Sequence, residues 1–327
     1  MIKLSIVHCL KSRLRSQGVF KSGIACIAPL PDDETALYRS WLAQGMNGGM
    51  EYMANHPDIR RDPQLLLPGA VSLISCAFSY YYPLQWGAEG LRWARYSLGR
   101  DYHEVVRERL SRVAEWITVE TGAQCRICVD TAPLRERYWA VQAGLGFIGL
   151  NDQLIIPGAG SYFFLGEILT TLPLEPDEPC KLTCGSCRAC HRSCPGKALS
   201  LTTLHPSDAS GFPGAVQNHA RPLLDARKCL SYLTIEHRGE FPLGTRLDNH
   251  IYGCDVCQEV CPHNSNPPVT EIPEFIPRPE ILALTRADIS SMTQEDFSRI
   301  FTHSAIKRTK LAGLRRNAGG GEPFRND

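Results

Sequence analysis

Cys184-Gly-Ser-Cys187-Arg-Ala-Cys190-His-Arg-Ser-Cys194-Pro195 spaces four cysteines as C-x2-C-x2-C-x3-C-P. Three thiolates two residues apart can wrap one face of an iron–sulfur cube while the amides between them bond to its sulfurs, and the fourth serves a second cluster. A second run supplies that cluster: Cys254-Asp-Val-Cys257-Gln-Glu-Val-Cys261-Pro262 repeats the last three cysteines and the proline. A symmetric arrangement would carry one more cysteine where Ile251 stands, and Cys229 is the only other cysteine between the runs. Cluster one is expected to take Cys184, Cys187, Cys190 and, by exchange, Cys261. Cluster two is expected to take Cys254, Cys257, Cys194 and Cys229. Zinc favours two separated cysteine pairs, often with histidine, over this spacing. Disulfides are disfavoured by the absence of a secretory signal.

The rest of the chain allows a catalytic partner for these clusters. With 327 residues, 43% hydrophobic and 21% charged, it can hold two domains and bury a core. No apolar run approaches the ~20 residues of a membrane span, and the short apolar start reads as the lead-in to a first helix. The cytoplasm is the expected compartment. A net charge of +1 means that any nucleic-acid partner must be served by local patches. Of fourteen cysteines, Cys9, Cys26, Cys76, Cys125 and Cys128 sit among apolar residues and read as buried thiols. Cys180 precedes the first run, and nothing in the spacing demands it as a ligand.

Residues 1–175 read as a mixed α/β domain. The pattern predicts helices at 35–46 and 102–120, the second with Val106, Leu110, Val113 and Ile117 on one side. Apolar, β-branched strands are expected at 71–79, 124–130, 153–156 and 161–171. Gly144-Leu-Gly146-Phe-Ile-Gly149 matches a dinucleotide fingerprint by letters, but it follows a helix and precedes a strand, the wrong order for a phosphate loop. Close backbone approach to another ligand is left open. Asp130 ends a strand beside Pro133, where active sites of α/β folds lie; a helix N-cap is the equally weighted alternative.

Several longer stretches resemble the epoxyqueuosine reductase family: Arg95-Tyr-Ser-Leu-Gly-Arg-Asp-Tyr-His103, Val129-Asp-Thr-Ala-Pro133, Ala143-Gly-Leu-Gly-Phe-Ile-Gly149 and Gly160-Ser-Tyr-Phe-Phe-Leu-Gly-Glu167. Leu224-Asp-Ala-Arg-Lys-Cys-Leu-Ser-Tyr-Leu-Thr-Ile-Glu236 and Tyr252-Gly-Cys-Asp-Val-Cys-Gln258 continue it in order. The resemblance implies a cobalamin-dependent enzyme that removes the epoxide oxygen of epoxyqueuosine at the tRNA wobble position. It implies a cobalamin domain at 1–175, related to reductive dehalogenases, a ferredoxin-like domain with two [4Fe-4S] clusters at 176–277, and a short helical, basic tail at 278–327. By position, Asp130 matches the proposed proton donor, and an acid protonated at the step calls for a raised pKa. Asn55, Leu154, Leu165, Ser231 and Arg238 match corrin contacts, with asparagine standing at 55 where many members have arginine. No histidine ligand to cobalt is suggested. A flavodoxin- or ferredoxin-like donor, a monomer and no membrane partner complete the expectation.

Two departures stand out. Leu204 to Pro222 is a longer insert, expected as a surface loop, and after Ala318 a Gly319-Gly-Gly321 tail takes over where the family continues as a helix. Residues 277–284 read as a linker. Lys307, Arg308, Lys310, Arg315 and Arg316 form a basic patch that is either a solvated face or a phosphate contact. Arg95, Arg100 and His103 could likewise face cofactor or RNA, and spacing does not decide between these. Competing readings are a dehalogenase-like enzyme on a small molecule, opposed by the missing twin-arginine signal, and an electron carrier, opposed by the long stretch before the clusters.

Overall fold

Four antiparallel strands in the order β1-β2-β7-β4 form the central sheet of the computed structural model, which describes residues 2–87, 89–202 and 221–319. The strands are β1 (Lys21–Cys26), β2 (Ser72–Ser79), β4 (Cys125–Cys128) and β7 (Phe163–Thr170). Their register aligns Ile24, Ile74, Ile168 and Ile127 in one row across the sheet. Helix α1 (Ile2–Ser16) and helix α4 (Tyr102–Thr121) cover the isoleucine face, with Leu10, Leu14, Val106, Leu110 and Ile117 buried there. Helix α5 (Glu136–Gln142) covers the other face, where Trp139 and Ala140 meet Leu73 and Leu169. Both faces are covered, which is why β2 is buried over all eight residues, Ser72, Ser75 and Ser79 included. Strands and helices alternate in sequence as expected, yet the sheet holds no parallel crossover.

Local chemistry sets the element ends. Asp101 caps α4 by accepting from the His103 amide, and Gly122 at φ +71 ends it in a left-handed turn. Helix α2 (Asp32–Ala43) and the short α3 (Pro57–Arg61) precede β2. The glycine-rich turn leads into the hairpin β5 (Phe147–Ile148) and β6 (Leu154–Ile155). A Cβ on Gly146 would lie 2.1 Å from the Ile155 carbonyl, so the close approach there is to the protein's own backbone.

The cysteine region is built from short pieces. Helix α6 (Ala189–Ser193) lies inside the first run, β8 (Leu199–Thr202) pairs with β9 (Arg221–Leu224), and α7 (Leu230–Ile235) follows Cys229. Residues 204–220 of the expected loop lie outside the described residues; Arg221 and Pro222 belong to β9 instead. β10 (His250–Tyr252) runs parallel to β3 (Arg92–Trp93), and α8 (Val256–Glu259) lies within the second cysteine run.

The tail departs from expectation in two places. The predicted linker contains helix α9 (Pro279–Leu282), made possible by proline at its first position, with Ile281 fully buried. Helices α10 (Arg286–Ser291) and α11 (Gln294–Ile300) each start with a Thr–Asp capping box, Thr285–Asp288 and Thr293–Asp296. Helix α12 (Lys310–Gly319) closes a core shared by Leu91, Trp93, Tyr252, Phe301 and Leu314. The basic patch is largely consumed internally. Arg308 pairs with Glu236, Arg315 donates to the Met292 carbonyl, and Arg316 donates to three carbonyls of residues 233–239 while lying over Phe241. Lys307 and Lys310 stay exposed. Cys9 and Cys26 are exposed rather than buried, whereas Cys76 and Cys128 are buried. Among the described residues, no helix is long and apolar enough to cross a membrane.

Candidate active site and cysteine sets

Asp130 follows β4 at φ +52, a left-handed conformation that an aspartate adopts at a cost. It does not cap α5, whose N-cap is Arg135. Instead, its backbone N–H donates to Glu136 Oε1 at 2.5 Å. Its carboxylate accepts from Tyr102 Oη at 2.8 Å and meets His103 Nε2 at 3.0 Å, both at Oδ2. His103 Nδ1 lies 2.7 Å from Asp101 Oδ1, so one imidazole bridges two carboxylates. Tyr102 stacks on Phe164 of β7, which sets where its hydroxyl points.

The electrostatics reverse one expectation. Burial pushes the Asp130 carboxyl up, but the hydrogen bonds from His103 and Tyr102 and the imidazolium charge outweigh it, and the net direction is down. Burial pulls His103 down, yet its bonds to Asp101 and Asp130 raise it to about 9. At neutral pH the proton therefore rests on His103, with Asp130 ionised against it. Glu136 is pushed up to about 8 by burial and by the Asp130 charge.

Arg95 and Arg100 have other tasks. Arg95 donates to the Tyr82 carbonyl inside a cage of Tyr81, Trp86 and Tyr162, and Arg100 pairs with Glu104 and Glu108 on α4. Tyr102, Glu136 and Glu167 were not singled out as site residues. The one signal for Glu167 was an acid set in the apolar run Phe163-Phe-Leu-Gly-Glu-Ile-Leu-Thr170.

The corrin-contact positions fall in two groups. Leu154 and Leu165 belong to the apolar layer on the α5 face of the sheet. Asn55 is exposed after a 3-10 turn containing Tyr52, and Tyr52 feels the charges of Glu236, Arg308 and Asp130. Arg238 donates to the Ile235 and Arg308 carbonyls, and Ser231 lies half-buried on α7. Apolar side chains for its faces and amide, hydroxyl and guanidinium groups for its edges are the types that a large ring with polar edges, as cobalamin is, would take.

The cysteines gather in two sets. Cys184, Cys187, Cys190 and Cys261 line one cavity with Leu150, Asn151 and Pro262. The Leu150 amide donates to Cys184 Sγ at 3.4 Å. Cys194, Cys229, Cys254 and Cys257 form the second set: burial pushes the Cys254 and Cys257 thiols up, and the charges of Cys229 and Cys194 push them further. The Ala198 amide donates to Cys194 Sγ, and the Ser231 and Tyr232 amides at the start of α7 serve Cys229. Among the described residues no three His, Cys, Asp or Glu side chains are gathered as ligands of a single metal ion. Thiolates that repel one another, with amides aimed at their sulfurs, fit cationic iron–sulfur clusters.

Two cysteine sets suited to iron–sulfur clusters and a proton-holding pair in one chain serve reduction coupled to protonation, so the class is an iron–sulfur oxidoreductase. Two family models match the chain: "Epoxyqueuosine reductase QueG, DUF1730" over residues 60–131 and "4Fe-4S double cluster binding domain" over residues 213–264. Epoxyqueuosine reductase of Gloeobacter violaceus is 40% identical over 94% of this chain and 93% of its own length. That of Cellulophaga algicola is 38% identical over 88% of both chains. A crystal structure of epoxyqueuosine reductase with an epoxyqueuosine-modified tRNA-Tyr stem loop aligns at a TM-score of 0.82 and 29% identity, covering 96% of this chain and 80% of the other. The chain belongs to the epoxyqueuosine reductase family.

Proposed function

We propose that this chain reduces epoxyqueuosine in the anticodon of tRNA to queuosine, using cobalamin and two [4Fe-4S] clusters. Loss of the epoxide oxygen as water takes up two electrons and two protons, and two one-electron clusters match that count. When bound, cobalamin supplies the low-potential cobalt chemistry that delivers electrons to the substrate. The observation that carries the reading is the Tyr102–His103–Asp130 constellation, a proton held at an exposed turn. Asp130, ionised at rest, would pass the proton held on His103 Nε2 to the opening epoxide oxygen, an acid step worth about 10²–10⁴ in rate.

Asn55, Leu154, Leu165, Ser231 and Arg238 would hold the corrin with Asp130. Ser231 lies in the first turn of α7, two residues after Cys229, so the second cysteine set would lie next to that ring in sequence. In this reading residues 1–175 bind cobalamin and substrate, 176–277 carry the clusters, and 278–327 brace them. The electron donor is a flavodoxin- or ferredoxin-like carrier, and the protein works as a monomer in the cytoplasm. The exposed Lys307 and Lys310 remain available to RNA phosphates.

An anaerobic assay with reconstituted protein, a low-potential reductant and epoxyqueuosine tRNA tests this, read by mass spectrometry of the digested nucleosides. Loss of one oxygen only when cobalamin is present is the expected result, and Asp130→Asn should slow it by about 10²-fold or more. No conversion despite loaded clusters, bound cobalamin and a tRNA gel shift would overturn the assignment.

A further inference from the structure

Behind the Asp130 turn the sheet buries a second acid that the reaction above does not use. Glu167 stands mid-strand in β7, paired across the sheet with Ser75 on β2 and Cys128 on β4, and is wholly buried. Its Oε1 accepts from Ser75 Oγ at 3.2 Å, while its Oε2 is buried without a donor among the described residues. The neighbouring side chain in hydrogen-bonding reach is Glu136, the residue that accepts the Asp130 amide. Two carboxyl groups bond to one another only when a proton lies between them, because an ionised carboxylate is an acceptor alone.

We propose that Glu136 and Glu167 share one proton, and that this pair latches the Asp130 turn in place by holding Glu136 on the Asp130 amide. The turn needs a latch, since Asp130 sits in the left-handed region and must keep its carboxylate on Tyr102 and His103. Without the proton, two anions would face each other in a buried site and drive Glu136 from its post. Burial pushes both carboxyls up, Glu136 to about 8, and the charges of Asp130 on Glu136 and of Glu136 on Glu167 add to this. The other groups facing the pair are Cys128 beside Asp130, Tyr102 and His103 on α4, Arg137 on α5, and Cys76 on β2. Of these, His103 titrates closest to neutrality, at about 9. Glu136 and Glu167 are thus positioning residues for Asp130.

Hydrogen exchange of the Asp130 amide in the cofactor-loaded protein reads the latch directly. The inference rests on Asp130 as the acid of the proposed reaction, but exchange needs no turnover, so the two can fail separately. Glu136 titrates at about 8 in the closed turn and near its ordinary 4.5 when exposed. Turn opening should therefore rise by up to about tenfold per pH unit between about pH 5.5 and about pH 7, once intrinsic exchange is divided out. His103 in the closed turn stays protonated over that window. Glu167→Gln offers Glu136 a permanent amide donor, so the amide should stay protected with a flat pH response. A flat wild-type response, or the same slope in E167Q, would overturn the latch. Infrared spectra of protein with 13C-labelled glutamate give a second reading: a protonated carboxyl at neutral pH that E167Q removes. Its absence from the wild type would also overturn the proposal.

Discussion

At neutral pH the proton between Asp130 and His103 rests on the imidazole, because Asp101 and Asp130 both accept from it. His103 is raised from 6.5 to about 9, so its contribution to stability is fully present below about pH 6.5 and is lost as pH rises through about 9. His103→Asn should lower the free energy of unfolding, measured by chemical denaturation, most at about pH 6, by about 3 kcal/mol at most, with the gap closing towards about pH 9. The same variant should slow turnover by about 10²-fold, and wild-type turnover should fall above about pH 9. Asp130 itself was legible in the sequence as a carboxylate closing a strand. Its partners were not, because Tyr102 and His103 reach it from the first turn of a helix more than twenty residues earlier. The direction of its pKa was misread for the same reason: the imidazolium that lowers it is invisible in the local sequence.

Short-range chemistry made most elements readable. The apolar spacing of Val106, Leu110, Val113 and Ile117 marks α4, whereas Pro279 misled, since proline opens α9 inside the stretch read as a linker. Pairing was not readable, since alternating helices and strands are equally compatible with a parallel sheet and with the antiparallel one formed here. One glycine contact carries a consequence for the second cysteine set. A Cβ on Gly196 would lie 1.7 Å from the Lys228 carbonyl, and these two backbones bring Cys194 and Cys229 to the same place. Gly196→Ala should leave the protein with about half its iron, retaining the Cys184 set alone, as measured by iron analysis and electron paramagnetic resonance after reconstitution.

Across the whole molecule, the tail binds the halves together more than it offers charge to a partner. Asn317 is buried and donates to the Thr234 and Ile251 carbonyls at 2.7 and 2.8 Å, tying α12 to α7 and β10. Asn317→Ala strips both carbonyls of that donor and should cost about 2–3 kcal/mol, read as a lower midpoint of chemical unfolding with clusters intact. The cysteine spacing made the cluster module legible at once. The internal bonds of the basic tail were not legible, because an arginine's reach to distant carbonyls, as Arg316 makes to residues 233–239, leaves no mark in composition.

The parallel pair β3–β10 sets Arg92 beside His250, nearly half the chain away. Residues 91–98 therefore have no finished core until the segment around Tyr252 and the final helices have left the ribosome. Pairing over such a separation is slow, because loop closure must precede the contacts that reward it. Cys254, Cys257 and Cys261 follow β10 directly in sequence, so the last ligands expected for the clusters and the strand that completes this core emerge in the same late interval of synthesis.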